Sequence, residues 1–85
     1  MKKPNAVKSL FGQRVRYLRQ SSGMSQEAFA DKCGIDRTYI SGIERGVRNP
    51  TLEIINIIAS GLQIELTDLF DFSREDSTNP FCPFE

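Results

Sequence analysis

The sequence predicts an all-α protein, a compact bundle of five short helices, and three observations carry that reading. Apolar residues recur at helical spacing in one segment after another, and no alternating run suggests a strand. Gly23, Gly34, Gly46 and Pro50 fall between those segments, where chain-breaking residues belong. Ser25, Asp36 and Thr51 each stand just before a segment, with a side-chain oxygen suited to cap a helix. Eighty-five residues make one small domain, near the size at which a single core gives only modest stability and oligomerisation helps.

Residues 1–7 carry Lys2, Lys3 and Pro4 and read as a flexible basic arm. The first helix is expected over Lys8–Ser22, with Phe11, Val15, Leu18 and Ser22 on one face. Gly23 ends it, and Met24 packs under the turn. The second helix covers 26–33 behind the Ser25 cap, with Ala28, Phe29, Ala30 and Cys33 as its apolar stripe. Gly34 then takes the left-handed position that ends a helix at little steric cost. Asp36 caps a third helix over 37–45, and its carboxylate suits the positive end of the dipole. There Ile40 and Ile43 point inward, and Arg37, Thr38, Ser41 and Arg45 outward. Gly46 to Pro50 is a loop. Thr51 caps a fourth helix over 52–61, and a fifth follows Thr67 over 68–72. Residues 8–72 are thus the folded domain. Residues 73–85 form an acidic, irregular tail whose Phe81, Cys82 and Phe84 can pack on the body or on a partner chain.

Composition excludes several classes of function. No run approaches the roughly 20 apolar residues of a membrane helix, and the N-terminus lacks a signal-peptide apolar segment, so a cytoplasmic protein is expected. There is no histidine, and two cysteines far apart leave too few ligands for zinc. Cys33 reads as a small core hydrophobe and Cys82 as a free thiol in the tail. No nucleophile–base constellation points to an enzyme. No cofactor, metal or small-molecule ligand is expected. The net charge of zero hides a division. Residues 1–50 hold ten Lys/Arg against four Asp/Glu, a net +6, and residues 51–85 hold one against seven, a net −6. The positive half coincides with the second and third helices, and local field decides which face meets phosphate.

Two helices joined by so short a glycine turn form a helix-turn-helix, whose second helix can enter a DNA major groove. Arg37, in its first turn, can bridge guanine O6 and N7 or else contact phosphate. Thr38 can hydrogen-bond a base edge or set its methyl against that of thymine. Ser41 lies three residues later on the same face. Tyr39, Arg45, Arg48 and Asn49 are placed to hold the DNA backbone, with Arg48 alternatively along a narrow minor groove.

The stretch SQEAFADKCGIDRTYISGIERG resembles the Cro/C1-type (XRE) helix-turn-helix family, and DRTYISGIER is similar to the recognition helix of restriction–modification controller proteins. RYLRQSSGMSQ before it and RNPTLEIINIIASGLQ after it extend the resemblance from about Leu10 to Phe70. The resemblance implies a lambda-repressor-like fold and a sequence-specific transcriptional regulator. It also implies a phosphate-binding amide at Gln26 and a largely buried ion pair between Arg19 and Glu44. Gly42 departs from the pattern, because some repressors of the family carry a long base-reading side chain there.

The fourth helix bears on assembly. Leu52, Ile55, Ile58, Ala59 and Leu62 form one stripe that can cover a core. Ile54, Ile57 and Gly61 fall on another side, and a helix apolar nearly all round must be buried on both. A two-fold interface is expected through Ile54, Ile57 and Gly61, together with Leu66, Leu69, Phe70 and Phe72. The alternative is that Phe81 and Phe84 of the tail cover the extra isoleucines. The resulting expectation is a homodimer on double-stranded DNA, reading a palindromic operator. The competing reading is an antitoxin-like module that binds a protein partner and uses DNA only for autoregulation.

Overall fold

A computed structural model describes residues 6–72 as five helices: α1 (Ala6–Ser21), α2 (Gln26–Cys33), α3 (Arg37–Glu44), α4 (Leu52–Leu62) and α5 (Leu66–Leu69). Among the described residues there is no strand. Three of the helix starts follow from side-chain caps. The Ser25 hydroxyl accepts from Ala28 N–H at 3.0 Å, the Asp36 carboxylate from Thr38 N–H at 3.0 Å, and the Thr51 hydroxyl from Ile54 N–H at 3.2 Å. Each satisfies one backbone donor that the first turn leaves without a partner.

Phe11 and Val15 of α1, Phe29 and Ala30 of α2, and Ile40 and Ile43 of α3 meet Ile58, Ala59 and Leu62 of α4 in one buried core. Leu69 of α5 closes it. Met24 packs against this core from the turn after α1, and Cys33 lies half-buried at its edge. Burial pushes the Cys33 thiol pKa up, opposed by the nearby Lys32 charge.

Several boundaries differ from the sequence expectation. Ala6 and Val7 belong to α1, not to a flexible arm, and α1 stops at Ser21. Ser22 is exposed, and its hydroxyl donates to Leu18 O at 3.0 Å, so the fourth position of the α1 stripe is a polar terminus. Ala28 is likewise exposed. α3 ends at Glu44, with Arg45 as its C-cap. α4 runs on to Leu62 and closes through Gln63, a non-glycine residue at φ 60°. Ile64 then folds back, its N–H donating to Ala59 O at 3.1 Å. That early return starts α5 at Leu66 behind Glu65, two residues ahead of expectation, and carries Leu69 into the core. Thr67, expected to precede the fifth helix, lies inside it.

The division of α4 into two faces needs the same correction. Leu52, assigned to the core stripe, is 83% exposed, because it sits in the first turn beyond the end of the core. Gly61 and Leu69, expected at an interface with a second copy, are used up within the monomer. A Cβ on Gly61 would lie 2.6 Å from Cys33 Sγ and 3.2 Å from Phe29 Cε1, so its hydrogen lets α2 and α4 approach. Ile54 is half-buried against the core. Ile57, Leu66 and Phe70 remain substantially exposed, and Phe70 stacks on Phe11 with ring centroids 5.2 Å apart. The basic residues 1–5 and the tail from 73 to 85, including Phe81, Cys82 and Phe84, lie outside the described residues.

Candidate nucleic-acid interface

The turn between α2 and α3 is set by local chemistry. Gly34 takes φ 71°, a left-handed conformation that a side chain would strain, and Ile35 N–H returns to Ala30 O at 3.0 Å. Asp36 then starts α3 in a new direction. Ile40 and Ile43 anchor the inner face of α3 at essentially complete burial, which leaves Arg37 and Thr38 exposed on the outside. The Thr38 hydroxyl also donates to the Asp36 carboxylate. Ser41 is half-buried, and its hydroxyl accepts from Arg45 Nε at 3.4 Å. Asn49 is exposed in the loop after α3.

Arg48 returns from that loop to lie against α3. Its guanidinium carbon is 5.3 Å from the centroid of the Tyr39 ring, within cation–π range. The chain places these two residues together, whereas the sequence suggested only two separate backbone contacts.

Behind the exposed face lies a buried polar network. Arg19 Nε donates to Glu44 Oε2 at 2.7 Å and Nη2 to Oε1 at 3.0 Å, a bidentate pair with both residues about 7% exposed. Arg19 Nη1 also donates to Met24 O at 2.7 Å. Gln26 adds its amide to the same carboxylate, Nε2 to Oε1 at 3.0 Å. The amide expected to face phosphate thus spends one N–H within the domain. Its direction is set by Glu44, and the second N–H is what remains for an outside acceptor. The network ties α1, the start of α2 and the end of α3 together, and so fixes the orientation of α3.

Two elements of this framework were missed in the sequence. Arg14 is buried and donates from Nε and Nη2 to Asp68 O at 3.1 and 2.8 Å, joining α1 to α5. The signal was present, since position 14 falls within the Phe11–Val15–Leu18 face at helical spacing. Gly12 lets α1 cross α3 closely: a Cβ there would lie 2.2 Å from Ile43 O and 2.8 Å from Glu44 O. Gly12 and Arg19 are two turns apart on the same side of α1, and both meet Glu44.

Residues 15–69 match the helix-turn-helix family HTH_3. The chain belongs to that family. The control protein C.BamHI of Bacillus amyloliquefaciens is 50% identical over 70 residues, covering 81% of this chain and 86% of the relative. The crystal structure of the restriction–modification controller protein C.AhdI from Aeromonas hydrophila superposes with a TM-score of 0.72 at 47% identity, covering 73% of this chain and 94% of that one. The controller protein C.Esp1396I, solved as a tetramer in complex with its natural 35 base-pair operator, matches with a TM-score of 0.75 at 37% identity, over 82% of this chain and 93% of that one. The chain is a DNA-binding transcriptional regulator of this class and not an enzyme. Among the described residues, no helix is long and apolar enough to cross a membrane.

Proposed function

We propose that this chain is a controller-type regulator, acting as repressor or as repressor and activator, that binds a palindromic operator as a homodimer with α3 of each copy in the major groove. The observation that carries the reading is the contrast across α3. Arg37 and Thr38 are exposed on its outer face, while the Arg19–Glu44 pair and Ile40 and Ile43 hold its inner face rigidly. Arg37 reads a guanine through its planar fork, and Thr38 and Ser41 contact neighbouring base edges. Gln26, Tyr39, Arg45, Arg48 and Asn49 hold the phosphate backbone and set register.

The homodimer is assigned to the exposed apolar residues Ile57, Leu66 and Phe70 together with the half-buried Ile54. Such residues on a small domain are most simply covered by a second copy, and a two-fold axis through them makes the contact self-complementary. Two copies of α3 would then meet one DNA face about 34–36 Å apart, one helical turn. The operator-bound tetramer of C.Esp1396I supports assembly on DNA as the working state.

Selecting duplexes from a random-sequence pool with the purified protein tests the reading. A palindrome with half-sites about one turn apart is expected; enrichment of a lone half-site, or none, would reject it. Ile57→Ser with Leu66→Ser should yield a monomer by mass in solution and weaken operator binding. A double variant that stays dimeric would remove this interface.

A further inference from the structure

We propose that Gly42 is a positioning residue for DNA binding: its missing side chain opens a seat across α3 for the stem of Arg48, and the Tyr39 ring completes that seat beneath the guanidinium. The proposal rests on α3 being the DNA-reading helix. A Cβ on Gly42 would lie 2.6 Å from Arg48 Cγ, 3.3 Å from Nε and 3.5 Å from Cδ. The arginine stem therefore runs directly over the place where any other residue would put its side chain. The loop is bent to allow this, with Val47 N–H donating to Gly42 O at 3.0 Å. Tyr39 lies three residues before Gly42, on the same face of α3. The loop that carries Arg48 is thus tied to α3 by a backbone bond, and the guanidinium at the far end of the stem lies over an aromatic face.

Two further facts point to a purpose outside the fold. Glycine within a helix is unfavourable relative to alanine, so this position breaks a local rule that stability alone would enforce. And among the described residues no carboxylate pairs with Arg48, so its N–H fork is held in place and left without an anionic partner. A guanidinium fixed before binding loses less freedom when it binds. The ligand is an acceptor on duplex DNA, either the O6/N7 edge of guanine or a phosphate oxygen.

The test uses the full chain with Gly42→Ala. In the free wild-type protein the Arg48 δ-protons should be shifted upfield by the Tyr39 ring current in proton NMR. In Gly42→Ala, and in Tyr39→Leu, they should return to ordinary exposed-arginine positions. Unchanged Arg48 shifts in Gly42→Ala overturn the seat whatever happens with DNA. Alanine favours the helix, so Tm should be no lower than wild type; a markedly lower Tm would assign Gly42 to packing and overturn the proposal.

On a duplex selected from a random pool by the wild-type protein, Gly42→Ala should weaken binding about tenfold. In an Arg48→Ala background the same change should do almost nothing. An undiminished loss in that background overturns the proposal. A loss confined to one base pair per half-site identifies guanine as the acceptor, and a uniform loss with the salt slope reduced by about one identifies phosphate. Failure to select any duplex would sink the proposed function, while the NMR measurement still decides the seat.

Discussion

Arg14 and Arg19 are buried on α1, and Arg37 and Arg48 are exposed on α3 and the loop after it, yet all four contribute alike to the positive half of the sequence. The buried pair make their hydrogen bonds within the chain: Arg19 to Glu44 and Met24, Arg14 to the carbonyl of Asp68. Of the exposed pair, Arg37 stands in the first turn of α3 and Arg48 lies back over Tyr39 from the loop behind it. A planar guanidinium fits both settings, because its fixed fork matches a carboxylate inside the fold as well as a base edge or phosphate outside it. A basic count therefore overstates the charge left exposed around α3. Part of it holds the framework that aims the rest.

Breaking the buried side should have the largest effect. Glu44→Ala leaves the Arg19 guanidinium buried without its carboxylate, and stability measured by denaturant unfolding should fall by about 3–5 kcal/mol. A double-mutant cycle with Arg19→Ala should show coupling above about 0.5 kcal/mol; additive losses would mean the two charges do not act as a pair.

Gly12→Ala probes the same framework without removing a charge. The added methyl meets the carbonyl oxygens of Ile43 and Glu44, and such overpacking costs about 1–3 kcal/mol. Folded protein that remains should still rank operator variants as the wild type does. A changed ranking with unchanged stability would place Gly12 on the reading side of the comparison.

Arg37→Ala should leave stability within about 0.5 kcal/mol, since the side chain is exposed. Its effect should appear instead at one base pair per half-site, worth about 1–3 kcal/mol of discrimination across single-base operator variants. Uniform weakening with the same ranking would reassign Arg37 to phosphate.

Local chemistry made much of this protein legible before any coordinates. Ser25, Asp36 and Thr51 marked helix starts because capping needs only a side-chain oxygen and the next turn of backbone. Gly34 marked the turn because its left-handed φ is a property of one residue. The inward direction of Ile40 and Ile43, and hence the outward face of α3, followed from periodicity. Family resemblance supplied the pairing of Arg19 with Glu44, which spacing alone would not.

Contacts between segments distant in sequence were not legible in this way. The start of α5 depends on how Ile64 folds back over the core, and no residue near Thr67 encodes that. Gly61 and Leu69 looked available for a second copy until Phe29, Cys33 and the core claimed them. Leu52 looked buried by period, but the core ends before it. Arg14, Gly12 and Gly42 are defined by what crosses over them, a carbonyl of α5, the backbone of α3 and the stem of Arg48. Periodicity tells which side of a helix turns inward; how far the neighbouring chain reaches along that side is a matter of three-dimensional packing, where a single methyl group decides whether two segments can touch.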